Sequence, residues 1–177
     1  MTTDHELFRR FENGSPDAFQ ALVRSWAPRL DALAWRFLGD VEEARDVRQT
    51  ALLRLWTAPR AATGRRTTWL HRVVVNLCRD RLRSRRLRGR SDGGDVRIAS
   101  ADPAAADAAA RDEVARRVAE AVASLPEAER DVVVLKQYAD LSFARVAEIL
   151  DIPATTAKSR MWRALAKLRV ELKECAP

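Results

Sequence analysis

The chain is poor in the residues that build metal centres and redox sites. Its 177 residues include two cysteines, two histidines and one tyrosine. Cys78 and Cys175 stand far apart with no CxxC spacing, which argues against a disulfide framework and against a structural metal. His71 has no ligand set near it in sequence, so a place at the core edge or surface fits it better than a metal. No Gly-rich phosphate loop and no paired-carboxylate motif after a strand is present, which speaks against a nucleic-acid enzyme. Neither a metal nor a cofactor is expected. No apolar run approaches membrane-spanning length, and Met1-Thr-Thr-Asp-His-Glu6 has neither the basic start nor the apolar core of a signal peptide. The expectation is a cytoplasmic protein without membrane insertion. With 6 Gly, 7 Pro and 47% hydrophobic residues, the composition suits a packed, helix-rich chain.

Positive charge is abundant. The net charge is +7 and the pI about 10.4, which favours a polyanionic partner. The excess is concentrated: Arg65 to Arg90 holds ten arginines and a single acid, Asp80. One basic helix is often no more than a solvated face. Two separated basic helices point to nucleic acid.

The second basic segment follows Leu141. Ser142 is a suitable N-cap, and Val146, Ile149 and Leu150 share a helical face. Asp151 breaks the pattern, and Pro153 fits the first turn of a new helix. In that helix Ala157, Met161, Ala164, Leu165 and Leu168 form the expected inward stripe, while Lys158, Ser159, Trp162 and Arg163 point elsewhere. A short helix, a tight turn and a second helix with basic and hydroxyl side chains near its start is the helix-turn-helix arrangement. An ordinary helical hairpin with a solvated basic face is the competing reading.

The N-terminal half reads as a series of helices. Asp4 to Glu12 forms a short one closed by Asn13-Gly14. Ser15-Pro16-Asp17 opens a longer one running to Gly39, with Pro28 expected to kink or divide it. Asp40-Val-Glu-Glu43 has capping-box spacing and opens a helix to about Trp56. Ala44, Val47, Ala51 and Leu55 line its inner face; Glu42, Asp46, Gln49, Thr50, Leu53 and Trp56 line the other. Leu53 and Trp56 among polar neighbours either form a docking surface or are covered by another helix. Thr57 to Thr68 is a loop. A helix then runs from near Trp69 to about Leu87, with Leu70, Val73, Val74, Leu77 and Cys78 inward and Arg72, Asn76, Arg79, Arg83 and Arg86 outward. Arg and Asn suit both phosphates and base edges.

Gly89 to Ala106 has lost apolar periodicity and reads as a flexible linker. Asp102-Pro103 is a candidate cap for a helix with Val114, Val118 and Val122 inward. Ser124-Leu-Pro-Glu127 is a second candidate capping box, before Val132, Val133 and Leu135. The expected architecture is all-α: a domain over 1–88, a linker over 89–106, and a domain over 107–177 containing the helix-turn-helix.

Three segments in this order resemble a bacterial RNA polymerase sigma factor of the extracytoplasmic-function (ECF) group. They are Asp46-Val-Arg-Gln-Thr-Ala-Leu-Leu-Arg-Leu-Trp56, Trp69-Leu-His-Arg-Val-Val-Val-Asn-Leu-Cys-Arg-Asp-Arg-Leu82, and Leu125-Pro-Glu through Arg169. The resemblance implies a first domain that binds core RNA polymerase and recognises and melts the −10 element, and a second that reads the −35 element as duplex. By position, Asp46, Gln49, Leu53 and Trp56 match the polymerase-docking helix. Trp69, Arg72, Asn76, Arg79 and Arg83 match the −10 helix. Thr155, Thr156, Lys158, Ser159, Arg160, Trp162 and Arg163 match the −35 helix. Implied partners are core polymerase, promoter DNA in duplex and melted form, and an anti-sigma protein. Two features depart from the family pattern: Thr50 stands where an acid is usual, and the stretch from Thr57 to Thr68 lacks the usual aromatics. A self-contained helix-turn-helix regulator with an N-terminal ligand or dimerisation domain explains the C-terminal half equally well, but leaves the Arg65–Arg90 run unexplained.

Overall fold

The computed structural model describes residues 3–57, 66–92 and 117–173, and every regular element among them is an α-helix. They are α1 (Asp4–Glu12), α2 (Pro16–Leu38), α3 (Val41–Thr57), α4 (Arg66–Asp92), α5 (residues 117–124), α6 (Glu127–Gln137), α7 (Phe143–Leu150) and α8 (Ala154–Lys173). They fall into two compact units, Met1–Ser84 and Arg85–Pro177. Among the described residues no helix is long and apolar enough to cross a membrane.

In the first unit, local chemistry sets the helix ends. The Thr3 hydroxyl accepts from the Glu6 amide, and the Ser15 hydroxyl from the Ala18 amide, each taking one donor that the first turn leaves without an intrahelical partner. Gly39 ends α2 at a φ of 65°, a left-handed conformation that glycine adopts without a Cβ clash. Its amide donates to the Trp35 carbonyl at 2.7 Å. Asp40 caps α3 as its sequence suggests, with Oδ1 accepting from the Glu43 amide at 2.9 Å.

Pro28 does not divide α2, which is one helix over 23 residues. Pro28 lies on an exposed face, so the Arg24 carbonyl deprived of its amide partner can turn to water. Burial of Leu22, Trp26, Leu30, Leu33 and Leu38 along the inner stripe offsets the lost bond.

The core of this unit gathers Phe8, Leu22, Leu30, Leu38, Val47, Leu55, Leu70, Val74 and Val75. The inner face of α3 is as expected, with Ala44, Val47, Ala51 and Leu55 all buried. That of α4 is wider than expected: Val75 is buried with Leu70, Val73, Val74 and Cys78, whereas Leu77 is half-buried. Cys78 is buried and takes part in no disulfide among the described residues. His71 sits at the core edge, its Nδ1 2.6 Å from the Thr67 carbonyl oxygen and its ring edge-on to Trp26 at 5.4 Å.

Helix α4 begins before Trp69, at Arg66, where an ion pair to Glu12 of α1 fixes its first turn. It also continues through Gly89 to Asp92, so the first residues assigned by sequence to the linker are helical. Glycine weakens a helix by only about 1 kcal/mol relative to alanine, and the arginines around it are good helix formers. Linker positions 93–106, the cap at Asp102-Pro103 and Val114 lie outside the described residues, as does Cys175.

In the second unit α6 is the central element. Val132, Val133, Val134 and Leu135 are all buried, and α6 packs against both α7 and α8. The expected capping box at Ser124 does not form. Helix α5 runs through Ser124, whose hydroxyl donates back to the Ala121 carbonyl at 2.8 Å and lies 2.9 Å from Glu171. The residue before α6 is Pro126, which has no side-chain cap to offer; its carbonyl accepts the Glu129 and Arg130 amides. Val122 is buried as expected, while Val118 is half-buried.

Ser142 caps α7, accepting from the Arg145 amide at 3.3 Å. Asp151 ends it in the left-handed region at φ 54°, and the Ile152 amide closes the turn on the Ala147 carbonyl at 3.0 Å. Pro153 stands just ahead of α8, its carbonyl accepting the Ala157 amide at 3.1 Å. The buried stripe of α8 is Ala157, Met161, Ala164 and Leu168; Leu165 is 48% exposed. At about 100° per residue Leu165 lies roughly 40° beyond Met161, past the edge of the stripe.

Candidate polymerase and nucleic-acid interfaces

Three helix faces carry the residues singled out by sequence. The first is the outer face of α3, where Asp46, Gln49, Leu53 and Trp56 recur at helical spacing. Leu53 is 59% exposed, a branched apolar side chain facing water. Trp56 is half-covered: its ring lies 4.8 Å from Phe19 and 5.9 Å from Phe11. Leu53 is thus left uncovered, whereas Trp56 is partly covered by α1 and α2. Asp46 is held at its far side by Arg81 of α4, with Nη2 3.6 Å from the carboxylate, and Arg81 also reaches Glu43 at 4.0 Å. Thr50 turns its hydroxyl into the helix, donating to the Asp46 carbonyl at 2.8 Å.

The second face is the outer side of α4. Trp69, Arg72, Asn76, Arg79 and Arg83 follow one stripe; Arg72, Asn76 and Arg83 are exposed, Trp69 and Arg79 half-buried. Not every arginine in the basic run belongs to it. Arg66 is engaged by Glu12 and Arg81 by Glu43 and Asp46, so these two help hold α4 to α1 and α3. Spacing could have found Arg81, which lies one turn beyond inward-facing Leu77 and Cys78.

The third face is on α8, the second helix of the helix-turn-helix. Thr155, Lys158, Ser159, Trp162 and Arg163 are exposed, and Thr156 and Arg160 half-buried. Trp162 is the most open large apolar side chain among the described residues at 74%. The Ser159 hydroxyl donates to the Thr155 carbonyl at 2.8 Å, leaving its oxygen free to accept but not to donate. Behind this face is a residue that sequence reasoning missed. Glu129 of α6 is 6% exposed, accepts from Lys167 Nζ at 2.7 Å, and lies 3.9 Å from Arg163 Nε. Its signal was available: Glu129 occupies the same face as Val132 and Val133, so a carboxylate stands in an apolar stripe. Among the described residues no group of three or more His, Cys, Asp or Glu is placed to hold a metal ion.

The described residues thus carry a helix-turn-helix with a basic, hydroxyl-bearing face in one unit, and an Arg–Asn face beside a partly apolar one in the other. Residues 22–88 match the model of sigma-70 region 2, and residues 115–168 that of sigma-70 region 4. The chain is 30% identical to the ECF RNA polymerase sigma factor SigW of Bacillus subtilis, covering 94% of this chain and 95% of that one. It is 34% identical to the ECF RNA polymerase sigma factor SigM of Mycobacterium tuberculosis, covering 94% and 83%. Among solved structures, that of CnrH in complex with the cytosolic domain of CnrY superposes with a TM-score of 0.75 at 26% identity, covering 98% of this chain and 99% of that one. The sigma factor RpoE of Bartonella quintana, in complex with the anti-sigma factor NepR, shares the fold with a TM-score of 0.68 at 23% identity, over 88% and 96%. The chain belongs to the ECF group of RNA polymerase sigma factors.

Proposed function

We propose that the chain serves as a promoter-specificity subunit: it binds core RNA polymerase and directs initiation by recognising a −10 and a −35 element. The observation that carries this is the pairing, on one chain, of an exposed Arg–Asn stripe on α4 with the basic face of a helix-turn-helix on α8. A self-contained regulator needs the second but not the first.

Residues 1–88 form the polymerase-docking and −10 domain, 89–106 the connection, and 107–177 the −35 domain. Asp46, Gln49, Leu53 and Trp56 contact polymerase. Leu53 supplies an apolar anchor whose burial against a partner excludes water, while the charge and amide around it set register. On α4, Arg72, Arg79 and Arg83 hold phosphates, and Asn76, which carries both donor and acceptor, hydrogen-bonds an exposed base next to Trp69. On α8, Thr155, Thr156, Lys158, Ser159, Arg160, Trp162 and Arg163 meet the major groove, where cations and hydroxyls can read acceptor and donor patterns. The chain itself performs no catalytic step in this reading; it selects where polymerase acts, in the cytoplasm. An anti-sigma protein is a further partner class; the sigma factor RpoE of Bartonella quintana, which shares the fold, was solved with one, NepR.

The test compares promoter binding by the purified chain with and without core polymerase. Tight, sequence-specific binding only in the presence of the core supports the proposal. Equal specificity without the core supports a self-contained regulator.

A further inference from the structure

Glu129 is an acid in an unusual place. It projects from the central helix of the second unit, is almost fully buried, and faces two cations one turn apart on α8. A carboxylate so removed from water is costly unless paired, and both partners come from the helix assigned to DNA reading. Lys167 is the close partner, with Nζ at 2.7 Å; Arg163 stands at 3.9 Å through Nε. Their side chains are 49% and 56% exposed, so each cation reaches solvent while one side is drawn to Glu129.

We propose that Glu129 is a positioning residue for promoter discrimination. Its carboxylate steers the Arg163 guanidinium and occupies Lys167, so that α8 offers the groove an oriented cation instead of two free ones. The inference rests on the reading of α8 as the −35 helix. A guanidinium reads a base edge only when its plane is oriented, because the contact is bidentate. A mobile cation at the same place finds the nearest phosphate, which carries no sequence information. Glu129 thus lowers non-specific attraction while improving selectivity. Its partner is within the protein; it touches no DNA.

The experiment uses holoenzyme reconstituted from core polymerase and the full chain. Equilibrium binding is measured over a salt series on two promoters that differ only in a scrambled −35 element. Glu129→Gln keeps the shape and one acceptor but removes the charge. It should cut the ratio of cognate to scrambled affinity about tenfold, and steepen the salt slope by roughly one as a released cation goes to phosphate. A Glu129→Gln holoenzyme with the parent's ratio and slope, even with a lower melting temperature, overturns the proposal and leaves Glu129 as a fastening of α6 to α8.

Lys167→Met keeps the apolar stem and carries the test should Glu129→Gln fail to fold. It leaves Glu129 with Arg163 as its facing cation, so cognate affinity should fall well beyond the loss of one phosphate contact. In the Glu129→Gln, Lys167→Met double variant that excess should largely disappear, since close pairs couple and the attraction is gone. Simple additivity of the two changes overturns the proposal. Arg163→Ala separates it from the underlying reading. If Arg163→Ala lowers the ratio and Glu129→Gln does not, the positioning role alone falls; if Arg163→Ala changes neither the ratio nor the salt slope, the placing of Arg163 on the −35 element falls with it.

Discussion

Trp56 packs its indole on Phe19, with ring centroids 4.8 Å apart, while Leu53, one turn earlier on the same helix, faces water. The two apolar residues on the outer face of α3 therefore contribute in different ways. Leu53 is free to serve a partner. Trp56 also ties α3 to α2 and, through Phe11, to α1.

Replacement should separate these roles. Leu53→Asp should abolish binding to core polymerase with the circular dichroism spectrum and melting temperature unchanged. Trp56→Ala should weaken binding and also destabilise the first unit by about 1–2 kcal/mol, since aromatic pairs add to area burial. A pull-down with core polymerase, alongside thermal melting of each variant, checks both. Unchanged affinity of Leu53→Asp removes α3 from the interface.

The arginines of α4 should divide in the same manner. Arg83→Ala, on the exposed stripe, should reduce the salt slope of promoter binding by roughly one and leave stability within about 0.5 kcal/mol. Arg81→Ala, which frees Glu43 and Asp46, should do the reverse, lowering stability by about 1 kcal/mol with the slope intact. Salt titrations and denaturant melts on both variants decide it. An Arg81→Ala variant with a shallower slope would place that residue at the DNA.

Arg163→Ala should lose about 1–3 kcal/mol of discrimination between cognate and altered −35 sequences if the guanidinium makes a bidentate base contact. If it meets only phosphate, affinity should fall evenly across sequences and the salt slope decline by roughly one. A variant indistinguishable from the parent on both counts removes Arg163 from the interface.

The sequence carried the fold through its caps and stripes. Ser15, Gly39, Asp40, Ser142 and Asp151 mark helix ends by local chemistry that needs no tertiary context, and the stripes of α2 and α3 follow one period. What local pattern missed was decided by contacts across the chain. Pro28 stays within α2 because the inner stripe continues past it. Ser124 is taken into α5, where its hydroxyl donates to the Ala121 carbonyl, and so is lost as a cap. Gly89 stays helical where composition suggested a linker. The helices assigned to the three faces were legible from periodicity. Their internal ion pairs, Arg81 with Asp46 and Glu129 with Lys167, were not, because one-dimensional spacing does not say which helices meet.

Division of the chain gives a further test. Cleavage within 93–106 should leave two fragments that keep their helical circular dichroism, because each unit has its own buried stripes. The mixed fragments should nonetheless fail at initiation. Tethering makes the second DNA contact intramolecular, and its loss removes an advantage of about 10²–10⁴ in effective affinity. Unfolded fragments contradict the two-domain assignment; full activity of the mixture contradicts the tethering argument.

The most direct measurement is run-off transcription from genomic DNA fragments with core polymerase, with and without this chain. The chain should elicit discrete transcripts whose start sites share one −35 and one −10 sequence, and Leu53→Asp should abolish them. Transcripts unchanged by addition of the chain, together with tight promoter-specific binding by the chain alone, would contradict its assignment as the subunit that brings polymerase to its promoters.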